Sequence, residues 1–277
     1  MVEIGTFNQL DVVEKVDFGV YLDGSERGNV LLPASDVPPT CEIGTRIRVF
    51  LYFDSHDRLI ATTQSPRAHV GCCELLTVVD VNAVGAFLDW GLAKDLLVPR
   101  SEQQVPMKLG ESYLVYVFHD RETDRIAASS KLSQHLSEQA PWLKPRQSVE
   151  LQIVTRTELG YKAVVDNRYL GLLFNDDAFR PLRVGERASG FVKQVRPDGK
   201  LDLLISQASL QNDHELGERI MRYLEREGGT SALGDKASPD AIYRQFKVSK
   251  KKYKQALGTL YRSQRIVISQ QEIRKVG

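Results

Sequence analysis

One glycine constrains this chain more than any other residue. Gly19, in "VDFGVYLD" at residues 16–23, returns as Gly85 in "NAVGAFLD" at residues 82–89. At the same offset of 66, Tyr21 maps to Phe87, Asp23 to Asp89, Pro33 to Pro99 and Gly44 to Gly110. After one inserted residue, "DRLIATT" from Asp57 meets "DRIAASS" from Asp124. A fainter third copy lies 141 positions after the first, with Gly160 for Gly19, Gly185 for Gly44 and "DGKLDLLIS" near its end. A repeat of this kind decides the architecture before any single segment does. In the first copy, apolar and β-branched residues alternate in "FNQLDVVEKV", "GVYLDG", "GNVLLP", "RIRVFLYFD" and "RLIATT", with Gly, Asp, Asn or Pro between them, which predicts five short strands. Five strands in so few residues suit a small Greek-key barrel, which removes its edges by closure. The glycine before each outward position permits the sharp bend such a barrel needs. A second glycine, in "PTCEIGTRI", "MKLGESY" and "LRVGERA", marks a turn ahead of each fourth strand.

The end of the chain has a different character. From His214 onward there are 14 Lys+Arg against 7 Asp+Glu, a balance of +7, whereas the preceding residues hold 23 against 29. Such asymmetry points to an anionic partner for the C-terminal segment, commonly nucleic acid. "HELGERIMRYLEREGG" sets Leu216, Ile220, Tyr223 and Leu224 on one helical stripe before a Gly-Gly stop. Ser238 caps a second helix that has Pro239 as its first residue and Asp240 near its positive end. A third helix starts after Ser249, with a buried stripe predicted at Tyr253, Leu257, Leu260 and Tyr261. "RIVISQQEIRKV" then alternates as two short strands about Gln270 and Gln271. Three helices and a hairpin give the layout of a winged helix. Lys250, Lys251, Lys252 and Lys254 fall on its second helix-turn-helix element, where an exposed basic face contacts phosphate. No Arg, Asn or Gln pattern there specifies a base sequence.

"VDFGVYLD…GNVLLPASDV…IGTRIRVFLYFDSHDRLIATT" resembles an S1 domain, the OB-type barrel of many RNA-binding proteins. Three such barrels followed by a basic helical module resemble the conserved virulence factor B family of bacterial S1-type proteins. The expected fold is therefore mainly β with a C-terminal α+β module. Its expected parts are S1-like barrels at 1–67 and 68–137, a degenerate third at 145–211, and a winged helix at 214–277. In an S1 domain the resemblance implies a binding face of two aromatics flanking the bend glycine, a polar or His position on the next strand, and an Asp and Arg four apart. The first copy has Phe18, Tyr21, Asp54 and Arg58, with Leu31 at the His position. The second keeps Phe87 and Arg125, has Val84 and Leu97 at two other places, and offers Trp90 as a substitute ring. The third carries Leu159, Lys162 and Lys200, leaving Tyr161 and Tyr169 as its aromatics.

Bases of a single strand stack on outward rings while cations follow the backbone. Strand parity says which rings qualify: if Val20 and Leu22 face inward, Tyr21 faces out. The expected partner is single-stranded RNA, with duplex nucleic acid possible through the winged helix and a protein partner through the third barrel. No enzyme is expected: His56, His69, His119, His135 and His214 form no metal-ligand motif, and there is no phosphate loop, nucleophile elbow or dinucleotide fingerprint. No metal or cofactor is demanded. Cys41 and the adjacent Cys72 and Cys73 fit neither a disulfide framework nor a zinc site. With no apolar run of membrane-spanning length and no secretory leader, a cytoplasmic post-transcriptional regulator is the leading expectation. A DNA-binding transcription regulator and a protein-docking scaffold are the two alternatives.

Overall fold

The computed structural model describes residues 2–178, 181–205, 208–234, 236–246, 248–269 and 272–276, with the backbone alone at 208–215 and 251–252. Two compact units divide it, Met1–Ser137 and Glu138–Gly277.

The first unit holds the first two repeats. Strands β1 (Phe7–Val16), β2 (Gly19–Asp23), β3 (Asn29–Pro33), β4 (Arg46–Phe53) and β5 (Leu59–Thr62) close into a barrel in the order β1-β2-β3-β5-β4. Leu10, Val12, Val20, Leu22, Val30, Leu32, Val49, Leu51 and Ala61 fill its interior, as the period-two pattern requires. The second copy has β6 (Cys73–Val81), β7 (Gly85–Asp89), β8 (Leu96–Pro99), β9 (Ser112–Asp120) and β10 (Arg125–Ser129), followed by the short helix α1 (Leu132–His135).

This second copy corrects the expectation of three closed barrels. It is a five-stranded sheet, β10-β9-β6-β7-β8, with no hydrogen-bonded ladder joining β8 to β10. The third copy, in the second unit, closes again: β11 (Ser148–Arg156), β12 (Gly160–Val165), β13 (Tyr169–Phe174), β14 (Arg187–Val195) and β15 (Leu201–Leu204). The difference lies at the parallel seam. Pro33 and Pro99 end β3 and β8 and have no N–H to give a parallel neighbour. The first seam is a single pair, Leu31 with Ile60. Phe174 stands at the proline's place in the third copy, opposite Gly160, and that seam has three pairs, Gly171–Leu201 to Leu173–Leu203.

Two devices bend each copy at equivalent residues. The first strand carries a bulge, between Val12 and Glu14, Val78 and Asp80, and Ile153 and Thr155. An extra residue there sharpens the twist, so that one strand can pair on both sides of a small barrel. The second device is the repeated glycine. A Cβ on Gly19, Gly85 or Gly160 would lie 2.2, 2.2 or 2.1 Å from the carbonyl oxygen of Leu32, Val98 or Leu173 on the next strand. Only a residue without a side chain admits that approach.

After the third barrel come α2 (Ala208–Arg226), β16 (Thr230–Ser231), α3 (Pro239–Phe246), α4 (Lys250–Arg262), β17 (Ile266–Ile268) and β18 (Ile273–Lys275), the strands ordered β16-β18-β17. Ser238 Oγ accepts from the Ala241 N–H (3.2 Å), the expected cap. Leu216, Ile220 and Leu224 of α2 meet Ile242, Phe246, Tyr253, Leu257 and Leu260 in one core. Tyr261 does not join it: the ring is 55% exposed, because the residue after Leu260 is turned about 100° away from the packed stripe. Ala256 takes the buried place instead. The turn expected at Gln270 and Gln271 lies outside the described residues.

Replacing Gly19 by Ala combines a 2.2 Å clash with a φ of +152°. The expected cost is about 3 kcal/mol. Gly44→Ala, with φ +85° but open space around it, is expected to cost about 1 kcal/mol. Urea unfolding midpoints of the two variants test this ordering, and equal midpoints contradict it.

Candidate nucleic-acid interface

The register of the first barrel assembles an outward row. Tyr21 pairs with Leu31, Leu31 with Ile60 and Ile60 with Tyr52, running across β2, β3, β5 and β4. Tyr21 is half-buried between the buried Val20 and Leu22, so it stands on the outer face. Phe18 occupies the turn before the bend glycine and is 57% exposed. Its ring meets Tyr21 edge to face, with centroids 6.4 Å apart. Val84 and Leu159 are the equivalents of Phe18 and are equally exposed. The backbone thus thrusts this position outward in every copy, but only the first presents a ring.

Asp54 and Arg58 act on each other. The Arg58 guanidinium donates to Asp54 Oδ2 through Nε (2.9 Å) and Nη2 (2.7 Å), and the His56 and Arg58 N–H groups bind Oδ1. Burial opposes the charge on Asp54, but these N–H donors and the guanidinium outweigh it and hold the carboxyl below its ordinary range. Asp54 therefore shapes the β4–β5 turn, and Arg58, with an exposed side chain, is the group that faces solvent.

In the second copy Phe87 is half-buried and lines a cleft of about 660 Å³ with Leu97, Lys94, Asp95, Arg125 and Asp57. The cleft is large enough for a nucleobase and its sugar. Burial, followed by the charges of Asp89 and Asp80, pushes the Asp95 carboxyl above its ordinary range. Trp90 corrects the sequence reading. It is 3% exposed, donates its indole N–H to the Lys94 carbonyl (2.7 Å) and meets Phe50 of β4 edge to face at 5.8 Å. A ring packed between the first barrel and the second sheet cannot also be a stacking platform. Phe50 and Tyr52 of the first barrel share one apolar cluster with Trp90, Leu76, Leu88 and Val98 of the second copy.

Around that seam runs an ionic clamp that the sequence reading missed. Asp57, in the β4–β5 turn, accepts from Lys94 (2.7 Å) and Arg125 (2.7 Å) of the second copy. Asp124, its repeat equivalent, accepts from Arg27 of the first (2.5 and 3.1 Å) and contacts His119 Nε2 (2.9 Å). Arg27 and Lys94 both come from the loop after the second strand of their own copy. The contact is therefore reciprocal, as in an isologous interface. Arg125, expected to touch phosphate, is held in this clamp with its side chain 59% exposed. The signal was available in the sequence: Asp57 and Asp124 open matching heptapeptides.

The third barrel puts cations where rings stood. Lys162 and Lys200 meet Glu138 at 3.2 and 3.7 Å, and Arg196 meets the buried Asp202 at 2.6 Å. Tyr161 is 4% exposed and belongs to the core. Tyr169 receives a hydrogen bond from the exposed Trp142 (3.1 Å). In α4, Lys250 is half-buried and Lys254 exposed, while the side chains of Lys251 and Lys252 lie outside the described residues. Among the described residues, no helix is long and apolar enough to cross a membrane, and no group of three or more His, Cys, Asp or Glu is placed to hold a metal.

These features define a class: tandem S1 domains carrying a C-terminal winged helix. The S1 domain model matches residues 4–64 and 70–131, and the CvfB-like winged helix domain model matches residues 218–274. The chain thus carries S1 domains and a CvfB-like winged helix domain, and it is similar over most of its length to proteins named conserved virulence factor B. It is 24% identical to conserved virulence factor B of Staphylococcus saprophyticus, over 98% of this chain and 93% of that one. The uncharacterized protein YitL of Bacillus subtilis (strain 168) is 28% identical, over 93% and 88% of the two chains. The crystal structure of a multidomain protein with nucleic acid binding domains from Streptococcus pneumoniae aligns at 23% identity and a TM-score of 0.41, covering 99% of this chain and 98% of that one. The S1 matches support a nucleic-acid-binding role.

The clamp has a pH signature. Hydrogen bonds from Lys94 and then its charge lower the Asp57 pKa, and the Arg27 hydrogen bond leads the lowering at Asp124. Each carboxylate therefore contributes stability that is fully present above the unfolded value of about 3.9 and is lost as pH falls through the lower folded value. The urea midpoint of the first unit, followed by Trp90 fluorescence in a Trp142→Phe background, should drop as pH falls below about 4. In Asp57→Asn/Asp124→Asn the drop should be shallower; an identical pH profile rules the clamp out as a stabilising element.

Proposed function

We propose that this chain is a non-catalytic cytoplasmic RNA-binding protein that holds single-stranded RNA on its first two S1 modules and regulates gene expression after transcription. The observation that carries this reading is the Phe18–Tyr21 ring pair, set outward on the first barrel by the bend glycine. Two perpendicular rings on an outer face offer π-surfaces to successive unpaired bases, whatever their sequence. Phe87 offers a third ring inside the cleft beside Lys94 and Arg125. Arg58 and the lysines at 250–254 supply phosphate attraction. Trp90 has no part in binding.

The modules expected at 1–67 and 68–137 carry the bases, the module at 214–277 adds electrostatic affinity, and the module at 145–211 serves as a spacer or a protein contact. S1 and winged-helix families are typically non-catalytic binders of nucleic acid, which favours binding over chemistry. The cations of the third barrel, already met by Glu138 and Asp202, favour its exclusion from the RNA path.

A stacking ring is worth about 1–3 kcal/mol. Phe18→Ala and Tyr21→Ala should each weaken the binding of a labelled single-stranded RNA about ten-fold or more, read by fluorescence anisotropy. Converting Lys251, Lys252 and Lys254 to Ala should flatten the salt dependence by about two. Unchanged affinity in Tyr21→Ala sinks the stacking face. Competition with duplex DNA of equal length decides the partner, and a preference for the duplex would shift the function to transcription.

A further inference from the structure

The winged helix carries its lysine run on α4, but the arginines of α2 form a separate group. Arg219, Arg222 and Arg226 are spaced three and four apart and so lie along one face of that helix. Together with Tyr223 of α2 and with Gln245 and Phe246 of α3 they line one groove of about 540 Å³. Its floor is aromatic: Tyr223 meets the buried Phe246 edge to face at 5.3 Å. Arg219 is fixed in place, donating through Nη2 to the Phe246 carbonyl (2.8 Å). Arg222 and Arg226 are exposed, and among the described residues neither has a hydrogen bond or an ion pair.

Glu218 and Glu225 of the same helix are turned elsewhere. Glu218 holds Arg265 (2.5 Å) and Glu225 holds Lys275 (2.6 Å). Among the described side chains, charge on α2 is thus sorted, with Glu218 and Glu225 spent on Arg265 and Lys275 and the Arg222 and Arg226 guanidinium groups left without an ion pair at the groove. Three forked donors over an aromatic floor match the geometry of phosphate oxygens better than point charges would. From Arg219 to Arg226 the helix rises about 10 Å, a span that can face two neighbouring phosphodiesters of one strand.

We infer that this α2–α3 groove is a phosphate-backbone site, a second nucleic-acid contact on the winged helix that grips consecutive phosphodiesters of one strand. It depends on the RNA-binding reading only for the identity of the ligand.

The test uses the full chain and a fluorescein-labelled oligouridine of about 20 nucleotides, its affinity followed by anisotropy over a KCl series. In Arg222→Ala/Arg226→Ala the slope of log K against log salt should fall in magnitude by about 1.4, two single-strand contacts at about 0.7 each, with weaker binding at every salt concentration. Arg222→Lys/Arg226→Lys should keep the slope while losing part of the affinity, which excludes misfolding as the cause. Tyr21→Ala should weaken binding with the slope intact. If the double Ala variant keeps the wild-type slope while Tyr21→Ala still weakens binding, the groove assignment is overturned and the stacking reading survives. If the slope falls but Tyr21→Ala is silent, the groove stands and the stacking face is lost. If a polyglutamate peptide binds the wild type, fails to bind the double Ala variant, and the RNA slope is unaltered, the groove serves an acidic protein and the inference falls.

Discussion

The approach of one strand's carbonyl to the bend glycine of the next is the constraint on which each barrel rests. A methyl group at Gly19, Gly85 or Gly160 would need space already occupied by Leu32, Val98 or Leu173 oxygen. That closeness fixes where the second strand begins and which of its residues look outward. The position before the glycine is pushed into solvent, and the second residue after it comes to the outer face. Rings at those two places are therefore displayed by the backbone rather than by their own chemistry. Where the sequence puts Val84, Leu159 or Lys162 there, the same geometry displays something that cannot stack.

A second constraint makes a pair out of the first two copies. Burying Trp90 against Phe50 removes a large apolar surface from water, and losing such a side chain from a core typically costs about 3–5 kcal/mol. The apolar contact supplies the stabilisation, and the reciprocal aspartates around it fix the orientation. Exposed ion pairs contribute little energy singly, but a closed set restricts the geometries in which two surfaces can meet. The clamp also sets the charge beside the cleft at Phe87, because Asp57 pairs both Lys94 and Arg125 there.

Much of the architecture was legible because it is local and repeated. The bend glycines, the turn glycines and the alternation of Val20, Tyr21 and Leu22 each express a backbone requirement that sequence records directly. What was not legible depends on contacts between copies or across a seam. Trp90 looks like an outward ring by its distance from Phe87, and it is packing against Phe50 of the first barrel that covers it. The open edge of the second copy leaves no mark at Pro99, which reads no differently from Pro33 in a barrel that does close. Tyr261 was misplaced because a single step along a helix is a third of a turn. The arginines of α2 form no run, because their spacing interleaves with the apolar stripe, whereas four lysines fall within five residues on α4.

The reciprocal clamp has one more implication. Arg27 and Lys94 reach the neighbouring copy's aspartate from the loops that follow β2 and β7. The length of each loop is thereby tied to a module it does not belong to, because an added residue would draw the cation away from its carboxylate.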